Sequence, residues 1–236
     1  EVIMKISACY IVKDEADELR RSLSSVEPSA DEIIIVSTQG NVAMADVAAE
    51  FHATLYDFPW QDNFALARNF ALAQASGDLV IFLDADEYFL HPFEVRVEIE
   101  EIAARTSNFD IIMIGLYNLL TADSFTDALY DRSPRILRMP MQYEGVIHEQ
   151  AVRPDGAERV LVYADARLDA GHTGYLRERG QEKIRRNIAM LKRDAALHGR
   201  TGLHAYYLAD CYFGLHDYAQ VIALSQEALE STFRFI

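Results

Sequence analysis

At 236 residues, half of them hydrophobic and a quarter charged, the chain suits one α/β domain plus a small appendage, or two small domains. A formal net charge of −15 argues against a nucleic-acid or anionic-membrane surface, because phosphate is repelled overall. No apolar stretch reaches the roughly eighteen residues of a membrane span, and Glu1–Lys5 lacks the charged-then-apolar build of a signal peptide.

In chain order, Ile6 to Val12 reads as a strand and Asp14 to Val26 as an amphipathic helix with Leu19 and Leu23 on one face. Ile33–Val36 is a second buried strand, Val42 to Phe51 an Ala-rich helix, and Ala53 to Phe58 a short strand. Asp62 to Ala75 reads as a helix whose Asp62 or Asn63 either caps its start or touches a ligand. Leu79–Leu83 follows, five apolar residues between Gly77-Asp78 and Asp84-Ala85-Asp86-Glu87. Such a run is a strand buried on both faces, and the strand–helix rhythm predicts a parallel sheet covered by helices. Pro92 to Arg105 is then a helix and Ile111 to Leu116 a strand. Residues 117–170 alternate weakly and carry Pro134, Pro140 and Pro154, so irregular hairpins over the sheet are expected there. Tyr175–His198, Leu203–Leu215 and Tyr218–Ser231 read as helices, which places a boundary near residue 174.

The carboxyl edge of a parallel sheet is where open α/β folds hold their ligands. Four segments meet there: Val12-Lys13-Asp14-Glu15, Val36 to Asn41, Trp60 to Asn69, and Asp84-Ala85-Asp86. Two carboxylates at i and i+2 can face one hard cation, and such a cation can hold a diphosphate. With 19 Asp in the chain, about one or two Asp-x-Asp triplets arise by chance, so the context carries the argument. Leu208-Ala209, Tyr212, Asp217-Tyr218 and Ala228 have the spacing of one tetratricopeptide repeat, or of an ordinary helical hairpin. Cys9 and Cys211, far apart in apolar surroundings, are expected as buried reduced thiols, which fits a cytoplasmic protein. Met4 reads as a natural start, and Arg234-Phe235-Ile236, with no capping or polar tail, as a point from which further repeats continue.

Three motifs together are specific: Ile6 to Glu15, Trp60 to Gly77, and Phe82-Leu83-Asp84-Ala85-Asp86-Glu87. Over about residues 4–195 the chain resembles a family 2 glycosyltransferase, of the bacterial type with a tetratricopeptide-like tail. The resemblance implies a GT-A fold over 1–174 with a helical extension over 175–236. It implies a nucleotide-diphosphate sugar donor (a UDP-sugar first), Mn²⁺ or Mg²⁺, and inversion at the anomeric carbon. The acceptor would be a glycan, a lipid-linked sugar or a protein. Donor contacts map onto Ile11, Val12, Glu15, Ser37, Arg68, Asp84, Ala85 and Asp86, and the metal onto Asp86, His172 and Asp84. Asp86 is the expected direct ligand, while Asp84 contacts ribose or a metal-bound water. Glu149 is the expected base, with His148 orienting it or acting as an alternate base.

Each residue also has a plainer role. Arg68 pairs on the helix surface with Asp62 or Asp57, Glu149 is a solvated loop acid, and His172 caps the helix from Tyr175. Ser37 stands where relatives carry an Asp that pairs with the base, and a hydroxyl makes a weaker bond there. The alternative is therefore a catalytically degenerate GT-A protein that binds a protein partner through its helical tail. A nucleotidyltransferase would want a Gly-rich, basic loop after the first strand, and Lys13 to Glu18 is acidic instead.

Overall fold

The computed structural model describes residues 4–40, 42–120, 125, 128–174 and 181–231. Expectations at Asn41, at Tyr175, and at both ends of the chain (1–3 and 232–236) lie outside the described residues.

Strand β1 (Ile6–Val12) runs through the sheet with both faces covered, which is why its residues are apolar without alternation. It pairs in parallel with β2 (Glu32–Ser37) on one side and β4 (Leu79–Phe82) on the other, and β3 (Thr54–Asp57) extends the sheet beyond β2. Helices α1 (Ala16–Val26) and α2 (Val42–Glu50) bury Leu19, Leu23, Met44 and Val47 in one core with Ile6, Ala8 and Tyr10. Cys9 points to the opposite face, where its thiol lies 3.9 Å from the Ala71 carbonyl of α3 (Phe64–Gln74). Both cysteines are free and buried, as their surroundings suggest.

The other half of the sheet is mixed. After β5 (Glu87–Phe89) and α4 (Val95–Arg105), β6 (Ile111–Asn118) and β7 (Leu129–Arg138) form an antiparallel pair, and β7 also lies antiparallel to β4. Strand β8 (Gln142–Glu144) pairs with β9 (Gln150–Val152) as a separate hairpin. Strand β10 (Leu161–Tyr163) joins β6, and β11 (Ala170–His172) sits between β6 and β5. The order is β3-β2-β1-β4-β7-β6-β11-β5 with β10 attached to β6.

One expectation is corrected here. Leu129–Arg138 is not an irregular hairpin over the sheet but a ten-residue strand within it. Its alternation is weak because its first three residues are exposed while Ile136 and Leu137, neighbours in sequence, are both buried. Pro134 fits because the β6–β7 register shifts between Ile112 and Met113, so a missing N–H is tolerated there.

By packing, the chain divides into two compact units. The first holds the sheet and takes the described residues up to 61, with 66–144 and 150–174. The second takes 62–65, 145–149 and 181–231. Its helices are α5 (Gln181–His198), α6 (Gly202–Gly214) and α7 (Tyr218–Glu230). Ile184, Ile188 and Leu191 meet Ala205, Leu208, Ala209, Leu224 and Ala228 in its core. Thr201 and His204 cap α6 reciprocally, and Asp217 caps α7 through the Gln220 N–H. Among the described residues no helix is long and apolar enough to cross a membrane.

Candidate active site

The ends of β1, β2 and β3 form a row, because Val12 pairs with Ser37 and Ser37 with Asp57. Polar groups along this row hold the backbone. The Glu15 carboxylate accepts from the Lys13 and Asp14 N–H groups at 2.9 and 3.0 Å and so shapes the turn after β1. Thr38 donates to the Val12 carbonyl through both its N–H and its hydroxyl. Ser37 Oγ accepts from the Gly40 N–H at 3.1 Å, and Gly40 takes φ +60, the left-handed region that favours glycine. Ile11 is half-buried and Val12 buried beside them.

The turn that follows β4 is held differently. Asp84 Oδ1 accepts from Arg68 Nη2 at 2.7 Å and Asp84 Oδ2 from Arg135 Nη2 at 3.1 Å. Arg135 also grips the fully buried Glu87 with two bonds, 2.7 Å from Nε and 2.5 Å from Nη2. Glu87 in turn accepts from the Asp84 N–H at 3.1 Å, which closes the turn on itself. Desolvation works against ionising Asp84, but the charges of Arg68 and Arg135 outweigh it and hold this carboxyl well below its usual range. Burial pushes Glu87 up, with Arg135 opposing. Arg68 is therefore not a helix-surface residue. It is nearly buried, bonded to Asp84, with its guanidinium 4.6 Å from the Phe82 ring centre and 5.3 Å from that of Tyr143. Asn69, next in α3, holds Tyr143 by exchanging two bonds with its backbone, at 2.7 and 2.9 Å.

Beside Asp84, whose two oxygens are both engaged, Asp86 and His172 form a second pair. Asp86 Oδ2 lies 3.5 Å from His172 Nε2. His172 sits in β11, and its Nδ1 is 2.7 Å from Asn118 Oδ1 in neighbouring β6; its alternative role as a cap of a helix from Tyr175 lies outside the described residues. Donation from Nδ1 to that amide oxygen leaves the Nε2 lone pair towards Asp86, the tautomer a metal ligand needs. Burial disfavours protonated His172, but Asp86, Glu87 and Asp84 outweigh it and raise its pKa. The Asp86 carbonyl accepts from the Thr173 N–H and hydroxyl, and Arg21, stacked 4.3 Å over Tyr88, donates to that hydroxyl at 2.7 Å.

Gly174 supplies a test of fit for a cation. A Cβ on Gly174 would fall 2.6 Å from Asp86 Oδ2 and closer still to His172 Nε2. The missing side chain thus leaves a place within coordination reach of one hard oxygen and one imidazole nitrogen. Among the described residues no three acidic, His or Cys side chains cluster as a metal site. Two protein ligands still suit Mg²⁺ or Mn²⁺, which keep waters and share their shell with a substrate's phosphates.

Glu149 and His148 lie in the second unit, in the loop between β8 and β9. His148 has φ +54, and its ring stacks on Tyr207 of α6 with centroids 3.8 Å apart and planes at 9°. Four contributors escaped the sequence reading: Glu87, Asn118, Arg135 and Gly174. Glu87 stood visibly at the end of the acidic run, whereas the other three acquire a role only through strand pairing.

Residues 7–114 match the family model described as Glycosyl transferase family 2. A TPR repeat-containing protein of Synechococcus elongatus is 43% identical over 83 residues, which is 35% of this chain and 21% of that protein. The SPbeta prophage-derived glycosyltransferase SunS of Bacillus subtilis is 24% identical over 196 residues, 78% of this chain and 43% of SunS. The crystal structure of S. aureus TarS 1–349 in complex with UDP-GlcNAc matches with a TM-score of 0.53 at 13% identity, over 96% of this chain and 81% of that one. This likeness shows the fold, a GT-A sheet flanked by helices with an all-helical extension. The chain spans less than half the length of SunS and about a fifth of the Synechococcus protein.

Proposed function

We propose that the chain, whose residues 7–114 match the model of glycosyltransferase family 2, moves a sugar from a nucleotide-diphosphate donor to an acceptor hydroxyl, with inversion and with a divalent cation. The observation that carries the reading is the Asp86–His172 pair beside Gly174, just past a parallel strand end. Mn²⁺ or Mg²⁺, when bound, neutralises charge on the leaving diphosphate. Asp86 and His172 hold the ion, and Asn118 keeps the imidazole in its ligand tautomer. Arg68 and Arg135 fix Asp84, so the turn presents Asp86 without reorganising. Glu149 takes the acceptor proton and His148 orients it. The donor to test first is a UDP-sugar, and the acceptor is a glycan, a lipid-linked sugar or a protein.

A thermal-shift screen of nucleotide-sugars with Mn²⁺ tests the proposal. The expected result is stabilisation by at least one donor and slow donor hydrolysis that EDTA stops. Asp86→Ala should lower that hydrolysis by about 10³-fold, a loss of the size expected when a charge-stabilising group is removed, with the melting temperature unchanged. No shift with any nucleotide plus metal overturns it. A second reading, a degenerate transferase that recruits a partner through its helices, rests on Ser37, whose hydroxyl accepts from Gly40. It requires a partner retained by the Asp86→Ala variant together with absent donor binding.

A further inference from the structure

The segment 145–149 belongs by packing to the helical unit, together with the first turn of α3 at 62–65. The Phe64 N–H donates to the Val146 carbonyl at 2.8 Å. Ile147 packs on the core built from Ile184, Leu191 and Leu208. Arg186 of α5 lies 5.7 Å from the Phe64 ring centre. His148 then lays its imidazole flat on Tyr207 of α6, a face-to-face contact at 3.8 Å. Tyr206, next in the helix, meets Tyr207 edge-on at 5.2 Å. The Tyr207 hydroxyl is pushed up by burial, and the charges of Tyr206 and Glu149 add to this, so the Glu149 carboxylate is within electrostatic reach of that phenol.

A loop that bends through φ +96 at Gly145 and φ +54 at His148 needs outside contacts to keep one shape. Here all of those named come from α3, α5 and α6. We infer that Tyr207 is a positioning residue for His148 and Glu149, so that α6 serves the proposed base from within its own unit. The inference rests on the proposed roles of Glu149 and His148. Flat stacking fixes the imidazole plane. An aliphatic side chain at 207 would fill similar space without fixing that plane.

The full chain with Tyr207→Phe and Tyr207→Leu tests this. Tyr207→Phe keeps the ring and should hold kcat to within about 3-fold. Tyr207→Leu should lower kcat by about 10- to 100-fold, the range expected when a reacting group is misplaced, with donor KM and nucleotide Kd unchanged. The His148 ring protons, shifted upfield by the Tyr207 ring current in the wild type and in Tyr207→Phe, should lose that shift in Tyr207→Leu. Wild-type kcat in Tyr207→Leu overturns the inference, as does a parallel loss of donor binding. Absent turnover in the wild type sinks the proposed function instead. In that case the His148 resonances still decide whether Tyr207 holds the loop: a lost shift supports the platform and an unchanged one overturns it.

Discussion

Two sets of acidic residues, one in each half of the sheet, are held by different kinds of partner. In the parallel half they bind chiefly backbone amides and hydroxyls: Glu15 on residues 13 and 14, Asp78 on the Lys5 N–H, and Glu32 on Ser7 and Ser76, with the Lys5 ammonium added. In the mixed half they bind guanidinium groups: Glu87 and Asp84 on Arg135, Asp84 on Arg68, and Glu98 on Arg105 and Arg167. A backbone amide is present whatever residue stands there, so an amide-held acid survives most substitutions of its partner. An arginine-held acid depends on one side chain, and losing it strands a charge in the interior. The site therefore has a tolerant side, where the chain end of each strand is shaped by its own backbone, and an intolerant side at Asp84–Glu87.

Four substitutions sharpen this contrast. The largest effect is expected from Arg135→Met, which leaves Glu87 buried without its counter-charge and should cost about 3–5 kcal/mol in chemical unfolding. If Arg135→Met unfolds as the wild type does, the contrast collapses. Asn118→Ala removes the bond that orients His172 and should weaken Mn²⁺ affinity about 10- to 100-fold by titration calorimetry, with little change in melting temperature. In the parallel half, Glu32→Gln should cost about 1–2 kcal/mol at pH 7. Burial opposes ionisation of Glu32, but the Ser7 and Ser76 bonds and Lys5 outweigh it and bring its pKa down to about 2. Its contribution is thus complete above pH 4.5, the ordinary value, and fades as pH falls towards 2. The difference between variant and wild type should shrink along that descent, and a difference that holds constant would contradict the assignment. Ser37→Asp puts a carboxylate at a buried position where it can still accept from Gly40, and its stability effect matters less here than its effect on binding. Its informative readout is the nucleotide Kd, which should tighten for uridine nucleotides if the hydroxyl had weakened the base contact.

The parallel half was legible because β1, β2 and β4 are buried on both faces and announce themselves as apolar runs, as in Ile33–Val36 and Leu79–Leu83. Asp84 and Asp86 could be found from such a run, and so could the edge on which they lie. The division of labour between them could not, because it depends on Arg135 in a strand whose outer end is exposed on both faces. Strands β5 and β11 have three residues each, too few for any periodicity, yet they bring Glu87, Asp86 and His172 together. His172 was identified by resemblance, and its tautomer became readable only once Asn118 lay beside it. Residues 145–149 followed the family order in sequence, but their membership of the helical unit is a property of packing alone.

That membership has a temporal side. A polypeptide leaves the ribosome amino end first, and domains tend to fold as they emerge. Every strand of the sheet is encoded before the first residue of α6, so the sheet can form while the surface that Ile147 packs against has yet to be made. Until translation passes α6, Ile147 has no helical core to enter and is a natural foothold for a chaperone. Ribosome-bound chains halted before α6 should accordingly be cut between residues 145 and 149 by a protease that spares the completed protein.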